Sequence, residues 1–279
     1  MKIVALLIVL MALVFSLVTM IIPGSRNFGG SNPAVELGKE IAKPLAQVDE
    51  IGPELSRALE RSGVKLPGVS GEREGPDHAL ADHTGAVFAN LDLPRARFAG
   101  GVLTSAQFND ALLDDADLEG ASGVNVDFSG ARMAKSSLIA AVFRDSDFSG
   151  AELRESTARA GDFSGSRFIG GDISFASFSG ARLAGADFTN VYGAGAVFMD
   201  ADLADAVFAN AELKGVRLDR AVLRDAVFPG ADLTAASFDG ARLEGADLSG
   251  ALHLTTEQLA KACADASTKL PDGVAAPRC

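Results

Sequence analysis

Large polar aromatic side chains are almost absent from this sequence. The 279 residues include no tryptophan and one tyrosine, but 17 phenylalanines. Tyrosine and tryptophan combine an apolar ring with a polar tip and are common at binding surfaces, whereas phenylalanine offers only its ring. The composition therefore indicates that most aromatic rings fill a protein interior.

Basic residues are also in short supply. Lysine and arginine number 25 against 37 aspartates and glutamates, so the formal net charge is −12. Nucleic-acid binding depends on neutralising phosphates with basic side chains. The charge balance argues against ordinary DNA or RNA binding, and we expect no direct nucleic-acid contact.

Histidine and cysteine are rare, which limits the chemistry available. The stretch PDHALADH holds Asp77, His78, Asp82 and His83, all potential metal ligands. These two histidines and His253 fall on central positions of a five-residue pattern described below, at the ends where the pattern degenerates, so we interpret them as cap residues. We predict no metal site and no cofactor. No nucleophile, base and orienting residue form a recognisable set, so we also predict no enzymatic activity.

One long apolar run stands at the N-terminus. Residues 3–22 contain nothing more polar than Ser16 and Thr19, and such a run can cross a hydrocarbon core of ~30 Å as a helix. We predict that residues 1–24 are an uncleaved transmembrane anchor, with a cleaved signal peptide as the alternative. A single N-terminal anchor favours a single-pass protein of a bacterial inner membrane, with the bulk of the chain in the periplasm.

Residues 25–75 are predicted to be a linker that contains an amphipathic helix. Between 34 and 61, apolar residues recur at steps of three or four, the spacing of a helix with one apolar face. These positions are Leu37, Ile41, Leu45, Val48, Ile51, Leu55 and Leu59. The helix is either a spacer or a partner-binding segment, and self-association through it or through the anchor is a further possibility.

From residue 86 to residue 250 a five-residue pattern runs without a slip. Of its 33 units, 30 have Phe, Leu, Ile or Met at the centre; the exceptions are Gly123, Ala158 and Gly193. Two places before the centre, 22 units have Ala and seven have Ser or Gly. A period of five fits neither a helix nor a flat strand. It fits a square coil in which each unit forms one side, and four units make a turn of 20 residues that stacks on the next at ~4.8 Å.

In such a coil the central residue points inward and stacks on its equivalent 20 residues away. One column of this core ladder is predicted to consist of Phe88, Phe108, Phe128, Phe148, Phe168, Phe188, Phe208, Phe228 and Leu248. The residue before the centre and the two after it face outward. Among these, the apolar residues Val207, Val222, Val227, Phe175 and Tyr192 are candidates for an interaction surface.

The units ADLAD, AVFAN, GADLSG and GADFTN resemble the A-(D/N)-L-x-x motif of the pentapeptide-repeat family. The resemblance implies an all-β solenoid, a right-handed quadrilateral parallel β-helix of about eight coils. We assign the β-helix to residues 76–250, with regular units over 86–250 and a capping segment before them. Residues 254–279 resemble the tail that follows the repeats in that family, with its T-x-x-Q-L start and T-x-L-P-x-G middle, and we assign residues 251–279 to a C-terminal cap.

The tail is predicted to cap the open end of the coil stack. Thr255 and Gln258 have the spacing of a capping box, which predicts a short helix starting there. Cys263 and Cys279 would close a loop of ~15 residues, and a disulfide of that span contributes ~3 kcal/mol in the chain-entropy model. A periplasmic location favours the disulfide, and two free thiols are the alternative in a reducing compartment.

Two functions remain open at this point. The first is a non-enzymatic, membrane-anchored rod with a structural or protein-interaction role and an unidentified protein partner. The second comes from the family resemblance, which includes acidic rods that mimic DNA, and would bind a topoisomerase such as DNA gyrase.

Overall fold

The computed structural model describes residues 75–279, and these residues form a stack of four-sided coils. The predicted membrane helix, linker and amphipathic helix lie outside the described residues. Parallel β-bridges join residues 20 apart on each of the four sides, so each turn of the coil takes 20 residues. One bridge from each side is Val87 with Gln107, Asp92 with Leu112, Arg97 with Asp117, and Val102 with Ser122.

Among residues 75–279, two segments are long enough to be strands. They are β1, Ser122–Val124, and β2, Val142–Arg144. They pair in parallel, with Gly123 opposite Phe143. The other bridges are single residues, because the chain turns a corner after every side. Within residues 75–279 there is no α-helix, and thus no helix that could cross a membrane.

The corners explain the preference for Gly, Asn and Asp at the last position of a unit. At a regular corner the first N–H of a unit donates to the central carbonyl of the unit before, as Ala111 does to Phe108 at 3.0 Å. Asp110, between them, has φ of +57°. A positive φ at this place is the mark of a type II turn, which Gly and Asn adopt most easily and Asp tolerates.

The central side chains fill the axis of the coil as four columns. In one column eight phenylalanine rings, from Phe88 to Phe228, stack at centroid distances of 4.7–5.0 Å. Leu248 continues this column and is fully buried. The alanines two places before the centres are buried beside the columns. The structure therefore places all nine residues of the predicted ladder inside.

Neighbouring side chains fill the spaces left by the small central residues. A methyl group added at Gly123 would lie 2.7 Å from Val126 Cγ2, and one at Gly193 would lie 2.8 Å from Leu213 Cδ2. Val191 is buried, but the atoms nearest to this added group at Gly193 come from Leu213 and Ile173. Neither glycine is thus a vacant core position.

The tail caps the stack without the predicted helix. Residues 256–261 form successive turns, with i to i−3 bonds such as Leu259 N to Thr256 O at 3.1 Å. The capping-box bond from Thr255 N to Gln258 Oε1 forms at 2.9 Å. However, Gln258 Nε2 donates to carbonyls of the coil below, and Leu259 is fully buried there. These tertiary contacts replace the helical bonds, so the helix prediction was wrong.

Two further predictions about the ends were also wrong. His253 does not occupy a central position: it is exposed at a corner with φ of +60°, and Leu254 takes the inward place. The segment 76–85 is not a separate cap, because Asp77 and Asp82 form the same bridges to the next coil as later units do. His78 and His83 lie inward, and the His78 ring stacks on Phe98 at 4.9 Å.

Candidate functional site

Few large apolar side chains are exposed on the described coil stack. They are Leu80, Val87, Val102, Val124, Phe175, Tyr192 and Leu252. Phe175 and Tyr192 are the aromatic members of this set, with exposed fractions of 62% and 52%. The phenylalanines at central positions fill the core, whereas Phe175 and Tyr192 stand at outward positions and do not.

Phe175 occupies a conformation that bulky residues avoid. It stands at a corner with φ of +59°, where most other units carry Gly, Asn or Asp and a minority carry longer side chains, such as Leu80 and Lys135. A left-handed conformation at a bulky residue costs on the order of 1–3 kcal/mol and often marks a functional position. The ring lies over Gly195, the equivalent corner of the next coil: a Cβ at Gly195 would be 2.8 Å from two atoms of that ring. Glycine at 195 leaves room for the exposed aromatic ring.

Tyr192 lies on the side of the coil that ends at the corner of Gly195. It pairs with Asp172 in the coil below and with Glu212 in the coil above. The single tyrosine of the chain therefore stands between two carboxylates. We call Phe175, Tyr192 and the acidic residues around them, Asp172 and Glu212, the aromatic corner.

Of the two carboxylates at the aromatic corner, one is neutralised by an arginine. Arg154 Nη1 donates to Asp172 Oδ2 at 2.9 Å. Burial opposes ionisation of Asp172, but hydrogen bonds from Ser174 and Arg154 outweigh it and lower its pKa. Among the described residues, Glu212 has no cationic partner within 4 Å. Glu212 therefore presents a carboxylate without a cationic partner next to Tyr192 on the same side of the stack.

The predicted valines lie apart from the aromatic corner. Val207 and Val227 pair with each other on the side of the coil that precedes the side of Tyr192. Val222 lies on the side opposite Tyr192, where it pairs with Asp202 and Arg242. All three are half-buried. The five candidates thus form separate surfaces. Val87 and Val102 are also exposed and directly precede central positions, so the rule that this position faces outward identifies them from the sequence as well.

The histidines do not gather into a metal site in the described part of the chain. His78 and His83 contact each other and Phe88 and Phe98 edge-on or stacked. Burial, and then the charge of His83, lower the pKa of His78. His253 lies at the other end of the stack, where its Nδ1 is 3.0 Å from Asp232 Oδ1.

The two cysteines meet at the end of the tail. Cys263 and Cys279 form a disulfide, with Cα atoms 4.8 Å apart. Cys263 pairs with Arg242 of the last regular coil, and Cys279 N donates to Ala264 O at 3.1 Å. The disulfide therefore ties the last residue of the tail to the coil stack.

The repeat pattern matches a known family. The sequence profile described as pentapeptide repeats matches eight copies, over residues 84–120, 124–157, 162–192, 181–220 and 217–252. Together these ranges cover more than half of the chain. The chain belongs to the pentapeptide-repeat family. The resemblance noted in the sequence is confirmed, and the square coil is the fold of a pentapeptide-repeat protein.

Several solved pentapeptide-repeat structures are similar to this protein. HetL, involved in heterocyst differentiation regulation in the cyanobacterium Nostoc sp. strain PCC 7120, is 25% identical over 61% of this chain and 86% of its own, with a TM-score of 0.33. QnrB1, a plasmid-mediated fluoroquinolone resistance protein, is 19% identical over 68% and 94%, with a TM-score of 0.46. A thylakoid-lumen protein of Arabidopsis thaliana is 22% identical over 42% and 70%, with a TM-score of 0.20. No curated protein matches the sequence significantly.

Proposed function

We propose that this pentapeptide-repeat protein is a non-enzymatic, membrane-anchored rod that binds a protein partner through the aromatic corner, on the periplasmic side of a bacterial inner membrane. The observation that carries the proposal is Phe175, a bulky exposed ring in a left-handed corner. The ring lies outside the core columns and is 62% exposed. Residues 3–22 supply the argument for the membrane, since 20 apolar residues suffice to span it.

The chemistry of the corner favours a partner with an apolar contact and a basic rim. Exposed aromatic side chains are typical of the centres of protein interfaces. Glu212 beside Tyr192 would attract lysine or arginine, and complementary charges raise association rates and specificity. The partner we expect is therefore a protein that presents a cationic, partly apolar surface.

Site-specific photo-cross-linking in intact cells tests this proposal. The full-length chain carries a photoreactive benzoylphenylalanine at position 175 or, as a control, at Asp205. Asp205 is an exposed residue with φ of +59° at the diagonally opposite corner, so both sites have the same local backbone. We expect a defined cross-linked protein from position 175 that is absent from position 205 and is lost on Tyr192→Ser.

The same products from both positions, or no dependence on Tyr192, would overturn the role of the aromatic corner. Topology is tested separately with reporters fused to the C-terminus. A cytoplasmic signal would overturn the periplasmic placement and leave the role of the corner standing.

A second candidate, an acidic DNA mimic that binds a topoisomerase such as DNA gyrase, has the charge of the coils in its favour. Residues 86–250 hold 24 acidic and 14 basic side chains, a net charge of 24 − 14 = 10 negative. Against it, several arginines pair with these carboxylates, as Arg132 with Asp114, Arg144 with Asp162 and Arg220 with Asp200. Inhibition of supercoiling by the full-length protein at low micromolar concentration would favour the mimic over the rod.

A further inference from the structure

At the C-terminal end of the coil stack, three side chains lie close together and are of the kinds that bind a thiophilic metal ion. The ligand atoms of Glu244, Cys263 and Cys279 all lie within 4.8 Å of one another. Thiolates and carboxylates are ordinary zinc ligands, at about 2.3 Å for sulfur and about 2.0–2.2 Å for oxygen. Ligand atoms of a tetrahedral site at those distances are roughly 3.5–3.8 Å apart. Small side-chain movements would therefore suffice once the two sulfurs are separate.

Glu244 carries an unexplained feature in the structure. Its Oε1 accepts hydrogen bonds from Arg242 Nε at 3.1 Å and Nη2 at 3.0 Å. Its Oε2 is buried and has no hydrogen-bond partner among the described residues. A buried carboxylate oxygen without a donor is unfavourable, and this atom remains free to accept a donor or to bind a cation.

Backbone hydrogen bonds hold these residues in addition to the disulfide. Leu243 N donates to Cys263 O at 2.7 Å, and Cys263 N donates to Ala241 O at 2.7 Å. Ala264 pairs with Arg278, next to Cys279. Reduction would therefore break one S–S bond while these backbone contacts continue to position both sulfurs near Glu244. Cys279 is exposed, so a reductant can reach the bond.

We propose that, when the Cys263–Cys279 disulfide is reduced, the two sulfurs and Glu244 bind one zinc ion, with water as a fourth ligand. A dithiol reductant supplies the two electrons and two protons that convert the disulfide into two thiols, and is itself oxidised to a disulfide. Zinc then displaces the two thiol protons into solvent and binds both thiolates. The metal replaces the covalent bond, so the tail stays closed over the coil stack in reducing as well as oxidising surroundings.

Cobalt(II) is a suitable probe, because thiolate ligation gives a charge-transfer absorption in the near ultraviolet. The chain has only two cysteines, so this signal can come only from this pair. The full-length protein is purified in mild detergent, reduced, freed of reductant without oxygen and titrated with cobalt, which zinc then displaces. We expect one cobalt per chain in the reduced protein and none in the oxidised protein.

Variants separate a built site from adventitious binding. Glu244→Gln should weaken cobalt binding at least tenfold, Cys279→Ser should abolish the thiolate band, and Glu119→Gln, at an exposed glutamate in an early coil, should change nothing. Zinc should also raise the melting temperature of the reduced protein and leave that of the oxidised protein unchanged, because a ligand stabilises only the state that binds it. No binding by the reduced protein, or equal binding by Glu244→Gln and wild type, would overturn the site.

Discussion

At the scale of single residues, the aspartate that precedes so many central positions is a turn-forming residue as well as a charge. In eleven units its Oδ1 accepts the backbone N–H two residues on, as from Ser129 to Asp127 at 2.9 Å. This bond satisfies an N–H at the start of each corner. Backbone geometry therefore accounts for these eleven of the 37 acidic residues, and they need no catalytic explanation.

One of these aspartates makes the attachment of the tail sensitive to pH. Hydrogen bonds from Lys269 and Ser249 lower the pKa of Asp247 from its usual 3.8 to about 2. Lys269 Nζ is 2.9 Å from Asp247 Oδ2 and belongs to the tail. A depressed folded-state pKa contributes stability above pH 3.8 that is lost as the pH falls towards 2.

We therefore expect Asp247→Asn to lower the melting temperature at pH 7 by a few degrees, in line with up to ~1 kcal/mol for a partly exposed ion pair. The difference from wild type should shrink between pH 4 and pH 2. Thermal unfolding followed by circular dichroism across this range measures it, with Lys269→Met as the matching variant. A difference that is the same at pH 7 and pH 2 would contradict the assignment.

Phe175 gives a second prediction at this scale. Phe175→Gly removes the left-handed strain and should stabilise the fold by about 1 kcal/mol while it abolishes partner cross-linking from a probe placed at position 192. Asp205→Gly is the control, and should stabilise less because aspartate tolerates positive φ. Denaturant unfolding measures the stability. A destabilised Phe175→Gly protein would mean that the ring is a structural residue.

At the scale of elements, the paired strands β1 and β2 mark the corner where the regular turn is lost. Val126 N donates to Ser146 Oγ at 3.1 Å, and Ser146 N donates to Ser166 Oγ at 3.1 Å, in place of the usual turn bond. Both hydroxyls are buried. Serine at these two small inward positions thus replaces a backbone acceptor.

Ser146→Ala should leave the N–H of Val126 without its acceptor and cost about 1–3 kcal/mol. Ser156 is the matched comparison, because it occupies the same kind of position and its buried Oγ has no partner among the described residues. Ser156→Ala should be close to neutral or slightly stabilising. Equal losses in denaturant unfolding for the two variants would show that the Ser146 hydrogen bond is unimportant.

The elements also show what the sequence could predict and what it could not. The square coil and its core columns follow from the five-residue period, because each unit makes the same local turn and buries the same position. The tail follows no period. Its turns depend on Gln258 and Leu259 contacting the coil below, so helix signals in the sequence misled. Phe175 was predictable as an outward residue, but the position of its ring over Gly195, at the end of the unit that holds Tyr192, depends on contacts between coils.

At the scale of the whole molecule, stability is distributed along the rod, because each coil contacts mainly the coils above and below it. The phenylalanine column makes this explicit, since each inner ring stacks on two others and Phe88 stacks on only one ring of its column, Phe108. Removing a ring from a middle coil should therefore destabilise the stack more than removing one from the first coil.

We expect Phe148→Ala to cost about 3–5 kcal/mol, the usual loss for a large buried ring. Phe88→Ala should cost clearly less and should mainly increase hydrogen exchange in the first coil. Denaturant unfolding combined with hydrogen-exchange mass spectrometry distinguishes the two. Equal global losses would indicate that the coil stack unfolds as one cooperative unit.

The exposed position of Tyr192 has an optical consequence. With no tryptophan in the chain and a single tyrosine, ultraviolet emission excited beyond the phenylalanine band comes from one side chain at one surface. That side chain lies beside carboxylates, which quench phenol fluorescence through proton transfer in the excited state. A partner that covers the rings and engages Glu212 will change the brightness of this emission, so the unlabelled protein reports its own occupancy.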